Sequence, residues 1–100
     1  MSDRETEYFM ELQASLMGKF TELGIVAQPW ATEFLHHLAD VAAKGRTLEH
    51  EILPLLLTVN TTRREVIREI FLGIRTHLDS IQDSITDLQP VLRDLLEYYE

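Results

Sequence analysis

From Ile67 to Tyr99 the chain repeats apolar residues in alternating steps of four and three: Ile67, Phe71, Ile74, Leu78, Ile81, Ile85, Leu88, Leu92, Leu95 and Tyr99. This is a heptad pattern held for about four heptads, and an α-helix is the structure that keeps such positions in one narrow line. Asn60, Thr61 and Thr62 offer caps at its start, and Thr62 with Glu65 has the spacing of a capping box. Pro90 interrupts the backbone but not the register. The pattern therefore predicts one long kinked helix, or a break near Gln89 followed by a short final helix.

The apolar face narrows along this segment. Between Val66 and Ile74 it is broad, with Val66, Ile67, Ile70, Phe71, Leu72 and Ile74. Between Arg75 and Gln89 only the heptad positions are apolar. A broad face suits packing inside a bundle, and a narrow one suits a two-helix contact. At about 1.5 Å per residue, a helix from Thr62 to Tyr99 runs roughly 55 Å, against about 30 Å for the first helix of the chain. Shorter neighbours cannot cover it end to end. Leu78, Ile81, Ile85, Leu88, Leu92 and Leu95 are therefore the candidate interface, and an uncovered apolar strip of this kind marks an association surface. A second copy of the same strip is the economical cover, so a homodimer is expected.

Three shorter helices are expected before it. Ser2 and Glu5 fit a capping box that opens the first, whose stripe is Phe9, Leu12, Leu16, Phe20 and Leu23, flanked by Tyr8 and Met17. Gly24, free to take a left-handed conformation, closes it, with Ile25 folding back on the last turn. Pro29 starts the second, whose wide apolar face holds Trp30, Ala31, Phe34, Leu35, Leu38, Val41 and Ala42 and which Gly45 ends after Lys44. Thr47 caps a third, from Leu48 to about Val59, apolar nearly all round and hence expected to be the most buried element, kinked or split at Pro54. Residues 1–100 thus read as a single all-α domain, a small antiparallel four-helix bundle, or five-helix if Pro90 breaks the last helix.

Composition limits what such a bundle binds. The formal net charge is −8, which disfavours nucleic acid and anionic membrane surfaces and suits a basic patch on a protein partner. The absence of Cys removes disulfides, thiolate metal sites and cysteine nucleophiles. The longest apolar stretch, Ile52 to Val59, falls far short of the roughly 20 residues of a membrane span, and no signal core opens the chain. The cytoplasm is the expected compartment.

Two clusters carry candidate chemistry. Glu33, His36, His37 and Asp40 sit three and four apart on the second helix, and Glu33-x-x-His36 has the spacing used by carboxylate-bridged di-iron bundles. Such sites need a second Glu-x-x-His, which this chain lacks, so a solvated edge of weak pairs is the simpler reading. Arg63 and Arg64 stand in a first helical turn, where the helix dipole favours acids, and Arg68 and Arg75 extend the positive stripe. They are candidates for contact with an anion or an acidic partner patch, against internal pairing such as Arg75 with Asp79. No Gly-rich phosphate loop, Gly-x-Ser-x-Gly elbow or His-Glu-x-x-His is present, and Ser15, Ser80 and Ser84 lack an identifiable base. The expected function is a non-catalytic protein–protein interaction module without a cofactor, self-associating through its last helix. The alternative is a small metal- or ligand-binding bundle using the Glu/His cluster.

Overall fold

The computed structural model describes residues 3–25 and 28–100. All of its regular structure is helical: α1 (Asp3–Leu23), α2 (Ala31–Thr47), a π-helical turn (Leu48–Ile52), α3 (Leu53–Leu57) and α4 (Arg64–Tyr98). No described helix is long and apolar enough to cross a membrane.

Helix α1 ends as its sequence dictates. Gly24 takes φ 74°. The Ile25 N–H then donates to Phe20 O at 2.8 Å and the Gly24 N–H to Thr21 O at 3.1 Å. These two bonds form a Schellman motif, and Ile25 folds back onto the cluster of Phe20, Ala31 and Leu35. Of the capping box expected at the other end, Ser2 lies outside the described residues.

The second helix departs from expectation at both ends. Pro29 stands in a turn, and Trp30 is the N-cap of a helix that begins at Ala31. Gly45 does not end it. Gly24 is the one residue with positive φ among those described, so Gly45 keeps ordinary helical geometry. The chain runs on through Thr47 with helical dihedrals, and Leu48 to Ile52 widen into a π turn in which the Leu53 N–H donates to Leu48 O. Pro54 supplies the cause: it has no N–H for His50 O, and its ring displaces the carbonyl one turn back, so the helix opens before it. The separate third helix expected from sequence is thus the far end of the second, giving three helical rods among the described residues.

Helix α2 is the middle rod. Its buried line is Ala31, Leu35, Ala39, Ala43 and Thr47, one residue in every four. Alanine at three of those positions lets two neighbours approach closely, α1 on one side and α4 on the other. Against α1, Phe20 stacks on Phe34 with ring centroids 6.1 Å apart, Arg46 lies 5.1 Å over the Tyr8 ring, and Arg4 pairs with Glu51. Against α4, Trp30 meets Tyr98 and Tyr99 edge-on, and Lys44 reaches Ser80 and Ser84. Helices α1 and α4 share no substantial contact. The result is a layer three helices wide, 54 × 23 × 19 Å, and not a closed bundle.

Helix α3 corrects a second expectation. None of its residues is buried, and Leu53, Leu55 and Leu57 are exposed. It packs on the π turn beside it and on neither α1 nor α4 to any extent. A run of leucines calls for burial, but nothing in the layer reaches over that end to provide it.

Helix α4 runs unbroken through Pro90. The proline is exposed and sits in the line Glu69, Thr76, Asp83, Pro90, Glu97, all of whose members face solvent. The Thr86 carbonyl that loses its N–H donor there is open to water, which is why the helix tolerates the ring.

Candidate functional site

The heptad stripe of α4 divides into two lines with different fates. The line Ile67, Ile74, Ile81, Leu88 and Leu95 is half-buried throughout, turned toward α2. The line Phe71, Leu78, Ile85 and Leu92 lies on the edge away from α2, and Tyr99, which continues it, turns onto Trp30. Phe71 is 54% exposed, Leu78 48% and Ile85 38%. Of the candidate interface residues, Leu78 and Ile85 therefore stand exposed, while Ile81, Leu88, Leu92 and Leu95 are half-buried and none is enclosed. Phe71, in the heptad pattern but outside the candidate set, is more exposed than either. Leu96, also exposed, adds to this edge near the C-terminal end.

What α4 presents to α2 is more polar than the stripe implies. Its buried residues are Ser84 and Val91, with His77 and Ser80 half-buried nearby. Ser84 Oγ donates to Asp40 Oδ2 at 2.6 Å and accepts from Lys44 Nζ at 2.6 Å. Lys44 Nζ also stands 3.3 Å from Asp40 Oδ2 and donates to Ser80 O at 3.4 Å. His77 Nε2 lies 2.7 Å from Lys44 O. A carbonyl can only accept, so that nitrogen carries the proton. Leu48 N–H is shared between Gly45 O and the same Lys44 O, at the entry to the π turn. The group is a clasp that fixes how α4 lies along α2.

Serine beside lysine and aspartate invites a catalytic reading, and the geometry opposes it. A nucleophilic serine gives its proton to a base and keeps its lone pair for the substrate. Here the proton goes to Asp40, the lone pair is engaged by an ammonium, and Ser84 is 5% exposed. The cluster is not legible in the sequence because Ser84 lies forty residues or more from its partners. The readable part was Asp40 and Lys44, one turn apart on α2.

The arginines at the start of α4 separate into two kinds. Arg63 is the N-cap, without a side-chain cap bond; its own N–H is taken by Thr61 Oγ1 at 3.2 Å, and the Thr62–Glu65 capping box does not form. Its guanidinium holds Glu65 Oε1 at 3.0 Å. The free N–H of Glu65 in the first turn, and then Arg63, hold that carboxyl below its ordinary value. Arg64, Arg68 and Arg75 form no hydrogen bond or ion pair among the described residues, and the expected Arg75–Asp79 pair is not made. With Glu65, Ile67, Phe71 and Leu72 they line a shallow open groove whose net charge is positive. The basic groove and the exposed apolar line therefore meet at Phe71.

The second-helix cluster is dispersed. His36 sets its ring against Phe9 at 5.0 Å, His37 Nε2 lies 3.8 Å from Glu33 Oε1, and Asp40 is held in the clasp. Among the described residues no group of three or more His, Asp or Glu is placed to hold a metal ion. Tyr98 and Tyr99 stack edge-on to each other and close over Trp30, so they latch the end of α4 to the start of α2. No known protein family, curated protein or solved structure matches the chain.

Proposed function

We propose that the protein is a non-catalytic interaction module that self-associates through the outer edge of α4, with Phe71, Leu78, Ile85 and Leu92 at the centre of the contact. One observation carries this reading. A compact monomer of 11.6 kDa exposes about 5,800 Å² and has a radius of gyration near 13 Å. This chain exposes 7095 Å² and its radius of gyration is 16.9 Å. The excess, about 1,250 Å², exceeds the ~800 Å² that each partner buries in a standard interface. Part of it is the line Phe71, Leu78 and Ile85 on α4, and part is Met10 and Leu23 on α1 and Leu53, Leu55 and Leu57 on α3.

Light scattering at about 50 μM, where a micromolar dimer is well populated, tests this. Wild type is expected at twice the chain mass. Leu78→Asp and Ile85→Asp are expected at the single mass with helical circular dichroism unchanged, because both side chains are already part-exposed and neither belongs to the clasp. A wild type that stays monomeric overturns the proposal.

A further inference from the structure

The charges on α4 assign a direction to the self-contact. Its first half carries Arg63, Arg64, Arg68 and Arg75 against Glu65 and Glu69, a net +2. From Asp79 onward, Asp79, Asp83, Asp87, Asp94, Glu97 and Glu100 stand against Arg93, a net −5. The helix is thus a rod with a basic head and an acidic tail. The line that flanks the outer apolar edge reads Arg68, Arg75, Gln82, Gln89, Leu96, and every member is exposed. These side chains border any helix laid along that edge.

We infer that two copies dock α4 against α4 head to tail, in antiparallel orientation about a two-fold axis near its middle. In a parallel two-fold pair the two basic heads of α4 lie side by side. Like charges then repel, and neither Arg68 nor Arg75 has a partner among the described residues to neutralise it. The two acidic tails also lie side by side. Reversing one copy removes both conflicts. Arg68 and Arg75 move beside the Gln89–Leu96 end, toward the acidic half of the other copy. Leu96, exposed at that end, comes over Phe71 and gives its ring apolar cover. Arg64, Arg68 and Arg75, without a partner among the described residues, then lie toward the acidic half of the second copy, and the side-by-side orientation is penalised.

This inference rests on the self-association proposed above, and one experiment separates their failures. The chain has no Cys, so a single label site is clean. Glu69→Cys and Glu97→Cys lie on the solvent line of α4, away from both α2 and the outer edge. Each variant is spin-labelled and the distance between labels in the dimer is measured by pulsed electron paramagnetic resonance. Head-to-tail docking places two Glu69→Cys labels ~40 Å apart, since about 28 residues of helix separate the ends, and gives a mixed Glu69→Cys with Glu97→Cys pair a short distance. A short Glu69→Cys self-distance, under about 25 Å as in a side-by-side pair of helices, overturns the orientation and leaves self-association standing. Labelled protein that scatters as a monomer overturns both. As a second readout, Arg68→Glu with Arg75→Glu is expected to weaken the dimer at least about tenfold at low salt and less at high salt. Tighter association in that variant contradicts the head-to-tail arrangement.

Discussion

Replacing Ser84 by Ala tests whether the polar clasp holds α4 in place. Two hydrogen bonds to charged groups disappear, one to Asp40 and one from Lys44. Bonds of this kind contribute about 1.5–3 kcal/mol each when buried. The Asp40 side chain is 34% exposed and Lys44 15%, and their direct pair at 3.3 Å survives, so water and that pair recover much of the loss. About 2 kcal/mol remains. Ala is also the better helix former by about 0.5 kcal/mol, which offsets part of it. The net expectation is a destabilisation of about 1.5 kcal/mol, close to 10 °C in Tm for a domain of this size. Ser15, exposed on α1, is the control for propensity alone, and Ser15→Ala is expected to stabilise by a few tenths of a kcal/mol. Urea melts followed at 222 nm, at one protein concentration, give both values. The two substitutions are chemically identical and should move stability in opposite directions. If Ser84→Ala stabilises as Ser15→Ala does, the clasp contributes nothing and the placement of α4 has another cause.

Three further substitutions read local features. Gly24→Ala forces a side chain into φ 74° and should cost about 1 kcal/mol, seen as a lower urea midpoint, although nothing crowds the position. Pro90→Ala restores an N–H to the Thr86 carbonyl in the middle of α4 and should stabilise by about 2 kcal/mol; a lowered Tm contradicts the reading of Pro90 as a tolerated defect. The Glu65 carboxyl, followed by nuclear magnetic resonance, should titrate below the ordinary glutamate range, and in Arg63→Ala it should return only part of the way, because the helix N–H is the larger cause. A carboxyl depressed by folding adds stability above its unfolded value and loses it as pH falls through the folded one. Glu65→Gln should therefore flatten the acid side of the stability curve and change nothing below it.

The heptad spacing made α4 legible as one helix because Pro90 fell on the side of the pattern with no apolar residue, where a missing bond is tolerated. Elsewhere local signals met tertiary packing and lost. Gly45 is a sound stop signal in isolation, but Thr47 behind it is buried between neighbours and the helix continues to reach that contact. The leucines of α3 signal burial by composition, which says nothing about whether a neighbour extends that far. On α2 the larger apolar residues drew attention to Phe34, Leu38 and Val41. The line that is buried consists mostly of alanines, whose weak hydropathy hides their value as points of close approach. The heptad positions were read as one seam because period alone does not tell which flank a third helix takes. The clasp decides that, and its members become neighbours only in the fold.

Self-association and folding should be coupled, because the chain alone encloses little. Among the described residues the buried apolar side chains are Phe20, Ala31, Leu35, Ala39, Ala43 and Val91, and of these only Leu35 is both large and fully covered. Three alanines bring little area out of water, so such a core leaves the monomer near the lower end of domain stability. Covering Phe71, Leu78 and Ile85 against a second copy adds burial that the unfolded chain does not share, and it stabilises the folded state by mass action. A dimer that unfolds to two chains gains about 1.4 kcal/mol for each tenfold rise in concentration. Spread over about 200 residues, that is roughly 3–5 °C in Tm per decade. Thermal melts from about 2 to about 200 μM, two decades of concentration, should shift upward by roughly twice that amount, while Ile85→Asp should melt at one lower temperature throughout. A wild-type Tm that ignores concentration means that the three-helix layer is stable alone, and that its exposed edge is not held by a second copy.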